Sequence, residues 1–341
     1  MDATPVALDR LAGVLLGTAV GDALGLPYEG LSARTILRRA PALDRYHLIG
    51  SLGVVSDDTQ LTALLAVSAL RAHGDVGLAR RYFRRALGGW LCTLPWGLGM
   101  ATLKAGALVL LGVERSGRRS AGNGAAMRAA GLAVAMPTNR AARLAMGVAM
   151  AEVTHTDARG VEGALFVAEL AAGCLTHAGP EAGTPGREAR RRLATDALTV
   201  VRAVELRAAL TGAIDGTRST DAPATGFVVD SVATALACFV EAGDDVLAAL
   251  GACIRRGGDT DSNAAILGGW LGGWHGAAAL PPQLIASLQP GAWGEAHLRA
   301  IAHAAATGAP PPRTPWLTSA LWTWLFYPVI IAHGFLRLVP H

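Results

Sequence analysis

The chain has 341 residues, 52% of them hydrophobic but only 5% aromatic, with 42 glycines and a formal charge of +4. That length gives one large domain or two ordinary ones. The positive charge is nearly all arginine, since Lys104 is the only lysine, and the densest group (Arg187, Arg190, Arg191, Arg192) sits beside a Pro/Gly loop. This reads as a solvated helix face, so no nucleic-acid partner is expected. The four cysteines, Cys92, Cys174, Cys238 and Cys253, form no close pair with metal or redox spacing. Each lies in an apolar helical context and behaves as a small hydrophobe. Asp2 and Asp9 at the N-terminus leave no basic n-region, so no signal peptide is read there and a cytoplasmic location is expected.

In chain order, residues 8–20 have helical periodicity, and the helix is expected to end in Gly21-Asp22-Ala23-Leu24-Gly25, with Pro27 as a stop. Tyr28-Glu29-Gly30 reads as a loop. Ser56-Asp57-Asp58-Thr59 opens an apolar helix over 59–72. Arg80 to Ala86 is amphipathic, Gly97 to Leu111 apolar, and Gly112 to Ser120 a basic polar loop. Gly122-Asn123-Gly124-Ala125-Ala126-Met127-Arg128 is a glycine-flanked Asn feeding into a helix. Backbone N–H groups there suit an anion, while the plainer reading is a loop–helix junction with a left-handed Asn.

Thr154-His155-Thr156-Asp157 separates helical runs at 139–151 and 160–175. Residues 176–188 read as a surface loop, 188–210 as helical, and 215–226 as a polar loop. Helices are then expected at 228–242 and 245–254, leading into Gly257-Gly258-Asp259-Thr260-Asp261-Ser262-Asn263 and a buried Ala-, Ile- and Leu-rich helix. Residues 303–315 resemble a linker. The apolar tail beyond Trp316 is interrupted by Pro328, His333 and Arg337. With about 20 apolar residues needed for a span, a tail packed on its own domain or on a partner is expected, and interfacial membrane contact is the weaker alternative. No alternating strand pattern occurs, and the fold class is all-α.

Two helix starts about two hundred residues apart therefore carry carboxylates. Capping needs one acidic or hydroxyl residue, and Asp259-Thr260-Asp261-Ser262 supplies more. Asp57, Asp58, Asp259 and Asp261, with Ser56 and Ser262, form an all-oxygen donor set that selects Mg²⁺, Ca²⁺ or Mn²⁺ over Zn²⁺. Four clustered carboxylates ionise cheaply only with cations between them, which suggests two divalent ions. The spacing alone leaves a glycosidase, a phosphatase and a structural Ca²⁺ site open.

Taken together, Gly21-Asp22-Ala23-Leu24-Gly25, Ser56-Asp57-Asp58-Thr59, Gly122 to Arg128, Thr154-His155, Val228-Val229-Asp230 and Gly257 to Ser262 resemble the ADP-ribosylglycohydrolase family over roughly residues 8–300. That family includes the dinitrogenase reductase-activating glycohydrolases and the eukaryotic ADP-ribosyl-acceptor hydrolases. The resemblance implies an all-helical domain over 1–308, with 309–341 as a Pro-containing linker and apolar tail outside it. It also implies a centre of two Mg²⁺ (or Mn²⁺) ions held by Ser56, Asp57, Asp58, Asp259, Asp261 and Ser262. Glu29 matches an acidic residue on a mobile loop over the metals, and Glu29 and Asp58 are the candidate general bases. Ser120, Gly122, Asn123 and Gly124 match the loop that holds the diphosphate and distal ribose, and His155 a substrate-side histidine. Ala121 stands where some members carry an aromatic, and Ser262 where others have Thr. The implied activity is removal of ADP-ribose from a modified side chain, of arginine or serine type. The implied partners are an ADP-ribosylated protein and, on an alternative immunity-type reading, an ADP-ribosyltransferase that the chain occludes.

Overall fold

The Ala-, Leu- and Gly-rich runs fold as helices throughout the residues that the computed structural model describes, 6–39, 42–177, 186–218, 224–314 and 316–338. In chain order these are α1 (Leu8–Gly25), α2 (Ala33–Arg39), α3 (Asp57–Arg71), α4 (Val76–Leu91), α5 (Met100–Leu110), α6 (Ala130–Ala135), α7 (Arg140–Ala151) and α8 (Ala158–Thr176). They continue as α9 (Gly186–Ala197), α10 (Val204–Asp215), α11 (Val228–Glu241), α12 (Val246–Ile254), α13 (Thr260–His275), α14 (Pro282–Ala286), α15 (Glu295–Thr307) and α16 (Trp316–Leu338). Among the described residues only isolated β-bridges occur, so the all-α expectation holds. Parts of the loops expected at 176–188 and 215–226, with Asp2, lie outside the described residues, as do the side chains of His333, Phe335 and Arg337.

The centre of the molecule is an antiparallel pair, α1 against α13. Gly13, Gly17, Gly21 and Gly25 recur every fourth residue along α1 and meet Gly272, Gly268, Ala264 and Thr260 of α13 in reverse order. A Cβ on Gly17 would lie 2.1 Å from the Gly268 carbonyl oxygen, and one on Gly21 2.0 Å from that of Ala264. The two backbones are in contact, and no larger residue fits the seam. The helix ends at Gly25, inside the stretch expected for its end. A helix-interior glycine costs about 1 kcal/mol relative to Ala, and here close backbone packing offsets it. By length and composition Leu8–Tyr28 could cross a membrane, but from Leu11 onward it is buried within the protein and serves as its core.

Other boundaries shift for local reasons. The second helix starts at Asp57, because the Ser56 side chain caps it by accepting from the Asp58 N–H. The run expected at 188–210 is broken between α9 and α10, where the Glu162 carboxylate accepts from the N–H groups of Arg202 and Ala203, both at 2.7 Å. The segment after Asn123 is a short 3-10 turn over Asn123–Ala125, and α6 begins only at Ala130.

The C-terminal tail folds back onto the domain. Residues 303–307 complete α15, leaving only 308–314 without regular structure before α16. Trp293 Nε1 donates to Ser319 Oγ at 2.9 Å, Tyr327 Oη donates to the Leu94 carbonyl at 2.7 Å, and Phe326 is buried with Leu26 and Val54. Leu26 precedes the Glu29 loop and Val54 precedes Ser56, so α16 braces two segments that reach the site. Its outer face leaves Leu317, Leu321, Trp324, Leu325 and Ile331 in solvent. Phe326→Ala is expected to cost about 3 kcal/mol of stability, read as a lower urea midpoint. An unchanged midpoint would show that α16 is not part of the cooperative unit.

Candidate active site

Two helix N-termini converge on the C-terminal end of α1. Asp22, fully buried, accepts from the Ser56 N–H (3.0 Å), the Thr59 N–H (3.1 Å) and the Thr59 hydroxyl (2.5 Å), which fixes the start of α3. Thr260 at the start of α13 donates its hydroxyl to the Gly25 carbonyl at 2.8 Å. The turn before it uses left-handed backbone at Gly257 and Gly258, with φ of 77° and 82°. Asp57 and Asp58 on one side, and Asp259, Asp261 and Ser262 on the other, are thereby brought together.

They line a cavity of about 610 Å³, within the usual range for a ligand site. The same cavity is lined by Glu29, by Ser120, Gly122, Asn123 and Gly124, and by His155. Of the site residues expected from sequence only Ser56 stays behind the wall, where its hydroxyl donates to Asp58 Oδ2 at 3.1 Å. The loops that carry these groups are tied to one another. The Gly30 N–H donates to the Gly258 carbonyl (2.7 Å), Gly258 N–H to Leu31 (2.9 Å), Asp259 N–H to Ala224 (2.7 Å) and Asn123 N–H to Gly226 (2.9 Å). The Glu29 loop, for which the resemblance implies mobility, is thus fastened on its C-terminal side.

Ser262 Oγ also donates to Asp58 Oδ2, at 3.2 Å across the two helix starts. Asp58 Oδ1 and Asp261 Oδ1 are buried without any hydrogen-bond partner. Burial, followed by repulsion from neighbouring carboxylates, holds Asp57, Asp58 and Asp261 well above the usual carboxylate range. Burial also lifts Asp22 to about 6, against the opposing pull of its bonds from Thr59 and Ser56. Among the described residues no three His, Cys, Asp or Glu side chains are gathered closely enough to hold an ion unaided. The two orphaned oxygens, the excess of like charge and the hydroxyls of Ser56 and Ser262 nevertheless fit hard divalent cations that water or ligand oxygens help to coordinate.

Asn123 has a second task. Its amide donates to Asp259 Oδ2 (2.7 Å) and to Ser231 Oγ (2.9 Å), and Ser231 in turn donates to Asn263 Oδ1 (2.6 Å). It lines the cavity and orients one of the carboxylates. His155 is set by a buried relay. Arg128 donates to the Thr154 hydroxyl at 2.7 Å, and that hydroxyl lies 2.8 Å from His155 Nδ1. Burial and then the Arg128 charge push His155 down to about 3. It is a neutral ring beside the Gly122–Gly124 turn, where a Cβ on Gly124 would come within 2.9 Å of it.

Sequence reasoning assigned no role to Asp22, Arg128, Ser231 or the wall formed by residues 97–102. A carboxylate inside a wholly apolar helix was a usable signal for Asp22, because a buried charge demands partners.

A family model described as ADP-ribosylglycohydrolase matches residues 3–313. A solved structure described as an ADP-ribosylglycohydrolase-related protein complex is similar at 26% identity with a TM-score of 0.68, over 88% of this chain and 97% of that one. An uncharacterized protein of Archaeoglobus fulgidus is 35% identical over 170 residues, 47% of this chain and 54% of the relative, so the chain spans about half that protein's length. The uncharacterized protein YegU of Escherichia coli is 26% identical over 317 residues, 82% of this chain and 92% of the relative.

Proposed function

The chain belongs to the ADP-ribosylglycohydrolase family, hydrolases of ADP-ribose linkages, and from that premise we propose that it releases ADP-ribose from a modified arginine- or serine-type protein side chain at a binuclear Mg²⁺ or Mn²⁺ centre. The observation that carries the metal-centred reading is the pair of buried, unpartnered oxygens, Asp58 Oδ1 and Asp261 Oδ1, in a cavity rich in carboxylates. Asp57, Asp58, Asp259 and Asp261 would hold the ions, with Ser56 and Ser262 as further donors. Such ions, when bound, supply charge neutralisation and a more acidic water.

The remaining work falls to the chain. The Gly122–Gly124 turn, Ser120 and the ring of His155 offer hydrogen-bonding groups to the diphosphate and distal ribose. Asn123 keeps Asp259 in register. The carboxylates stabilise oxocarbenium character at the anomeric carbon, as in glycoside hydrolysis generally. Glu29 or Asp58 takes a proton from the attacking water, a contribution of about 10²–10⁴-fold. Mass-spectrometric detection of ADP-ribose released from arginine- and serine-modified peptides tests the reading, and release from neither would overturn it.

The electrostatics also predict a pH dependence. Between pH 3.8 and about 6 the folded protein keeps a proton on Asp22 that the unfolded chain has released. Stability then falls as pH rises, and the raised values of Asp57, Asp58 and Asp261 act in the same direction. The Tm of chelator-treated protein is expected to fall from pH 5 to pH 7.5, and Mn²⁺ is expected to restore more of it at pH 7.5 than at pH 5. A metal-free Tm that rises over this window would contradict the account.

A further inference from the structure

A second recess, of about 590 Å³, opens on the other side of the Glu29 loop. Pro27, Tyr28 and Leu31 form one wall, Arg39 and Arg45 supply its charge, and His47 completes the lining. Glu29 and Gly30, which lie between those wall residues in the chain, line the candidate active site. A single turn of backbone therefore separates the two cavities. No carboxylate lines the recess, and among the described residues neither arginine has a carboxylate partner. Its wall is ordered. Tyr28, almost wholly buried, bonds through its hydroxyl to His47 Nδ1 and meets that ring edge-on at 6.2 Å, while Arg45 Nε donates to His47 Nε2 at 3.3 Å. Arg39 and Arg45 are exposed and presented to solvent.

We propose that this recess receives acidic residues of the modified protein that flank its ADP-ribosylated side chain. The inference rests on the hydrolase reading above. The ribose end of the ligand belongs with the carboxylates, and Glu29 is close enough to repel both Asp57 and Asp261. An acceptor chain that leaves the cavity past the Glu29 loop meets this cationic surface. Free ADP-ribose makes no use of the recess. A protein substrate with acidic neighbours gains attraction that decays with salt.

Two peptides modified at the same residue, one with acidic and one with neutral flanks, test this. At low ionic strength kcat/KM on the acidic peptide is expected to exceed that on the neutral one by about tenfold, mainly through KM. The preference should shrink at 0.5 M salt, roughly the range where the Debye length falls to a few Å. The R39E/R45E double variant is expected to lose the preference and keep its activity on the neutral peptide, while R39K/R45K keeps both. Equal kcat/KM on the two peptides in the wild type, or a preference that survives R39E/R45E, would overturn the proposal. Fluorescence anisotropy of the same peptides reads the recess without turnover. If neither peptide is hydrolysed the hydrolase reading fails, and equal binding of acidic and neutral peptides then rejects the recess separately.

Discussion

Replacing Asp259 and Asp261 together with alanine is expected to abolish turnover and bound metal while leaving the fold intact. The two residues flank the start of α13, whose body is locked into the core by the seam with α1. Asp259 is oriented by Asn123, and Asp261 presents a buried oxygen with no partner in the protein. Neither holds the core together. Asp261 is instead a source of repulsion, held well above the usual range by burial and by the charges of Glu29, Asp259 and Asp58. The double variant should therefore lose more than about 10³-fold in kcat, beyond the 10–100-fold typical of losing an outer-shell partner. Its metal-free Tm at neutral pH should equal or exceed that of the wild type. Retained turnover, or a fall in that metal-free Tm, would show that the carboxylates serve the fold.

Asp22→Ala is expected to do the opposite and act first on stability. The carboxylate satisfies the N–H groups of Ser56 and Thr59 and the Thr59 hydroxyl, all buried. Each donor left unpaired costs about 1–3 kcal/mol, so a loss of about 3–5 kcal/mol is expected, reduced somewhat by relief of the buried charge. Because those donors define the start of α3, Asp57 and Asp58 lose their register and activity falls with stability. Asp22→Asn keeps one acceptor oxygen and should lie between the two. Denaturant unfolding of the three proteins checks the order, and an Asp22→Ala protein as stable as the wild type would contradict this role.

Much of this was legible in the sequence because the chemistry is concentrated in short stretches. A run such as Gly257-Gly258-Asp259-Thr260-Asp261-Ser262 carries its own turn, helix start and donors, and the structure places them as the pattern suggests. Glycine was ambiguous. In α1 a glycine every fourth residue reads locally as a breaker and becomes a packing surface only when α13 is present. The same dependence on distant partners hid the second task of Asn123, whose amide is committed to an aspartate 136 residues away. It also hid the relay from Arg128 through Thr154 to His155, since no spacing in the chain reveals that the guanidinium is buried. The tail was read correctly as apolar. That it braces the segments before Glu29 and Ser56 follows only from where Phe326 docks.

The most direct test of the metal-centred account is to measure ADP-ribose release by the wild type after exhaustive chelation and then during titration with Mg²⁺ or Mn²⁺, counting bound ions at each step. The account predicts no release without metal and recovery that reaches its plateau at two ions per chain. Full release by protein shown to contain no divalent metal would contradict it.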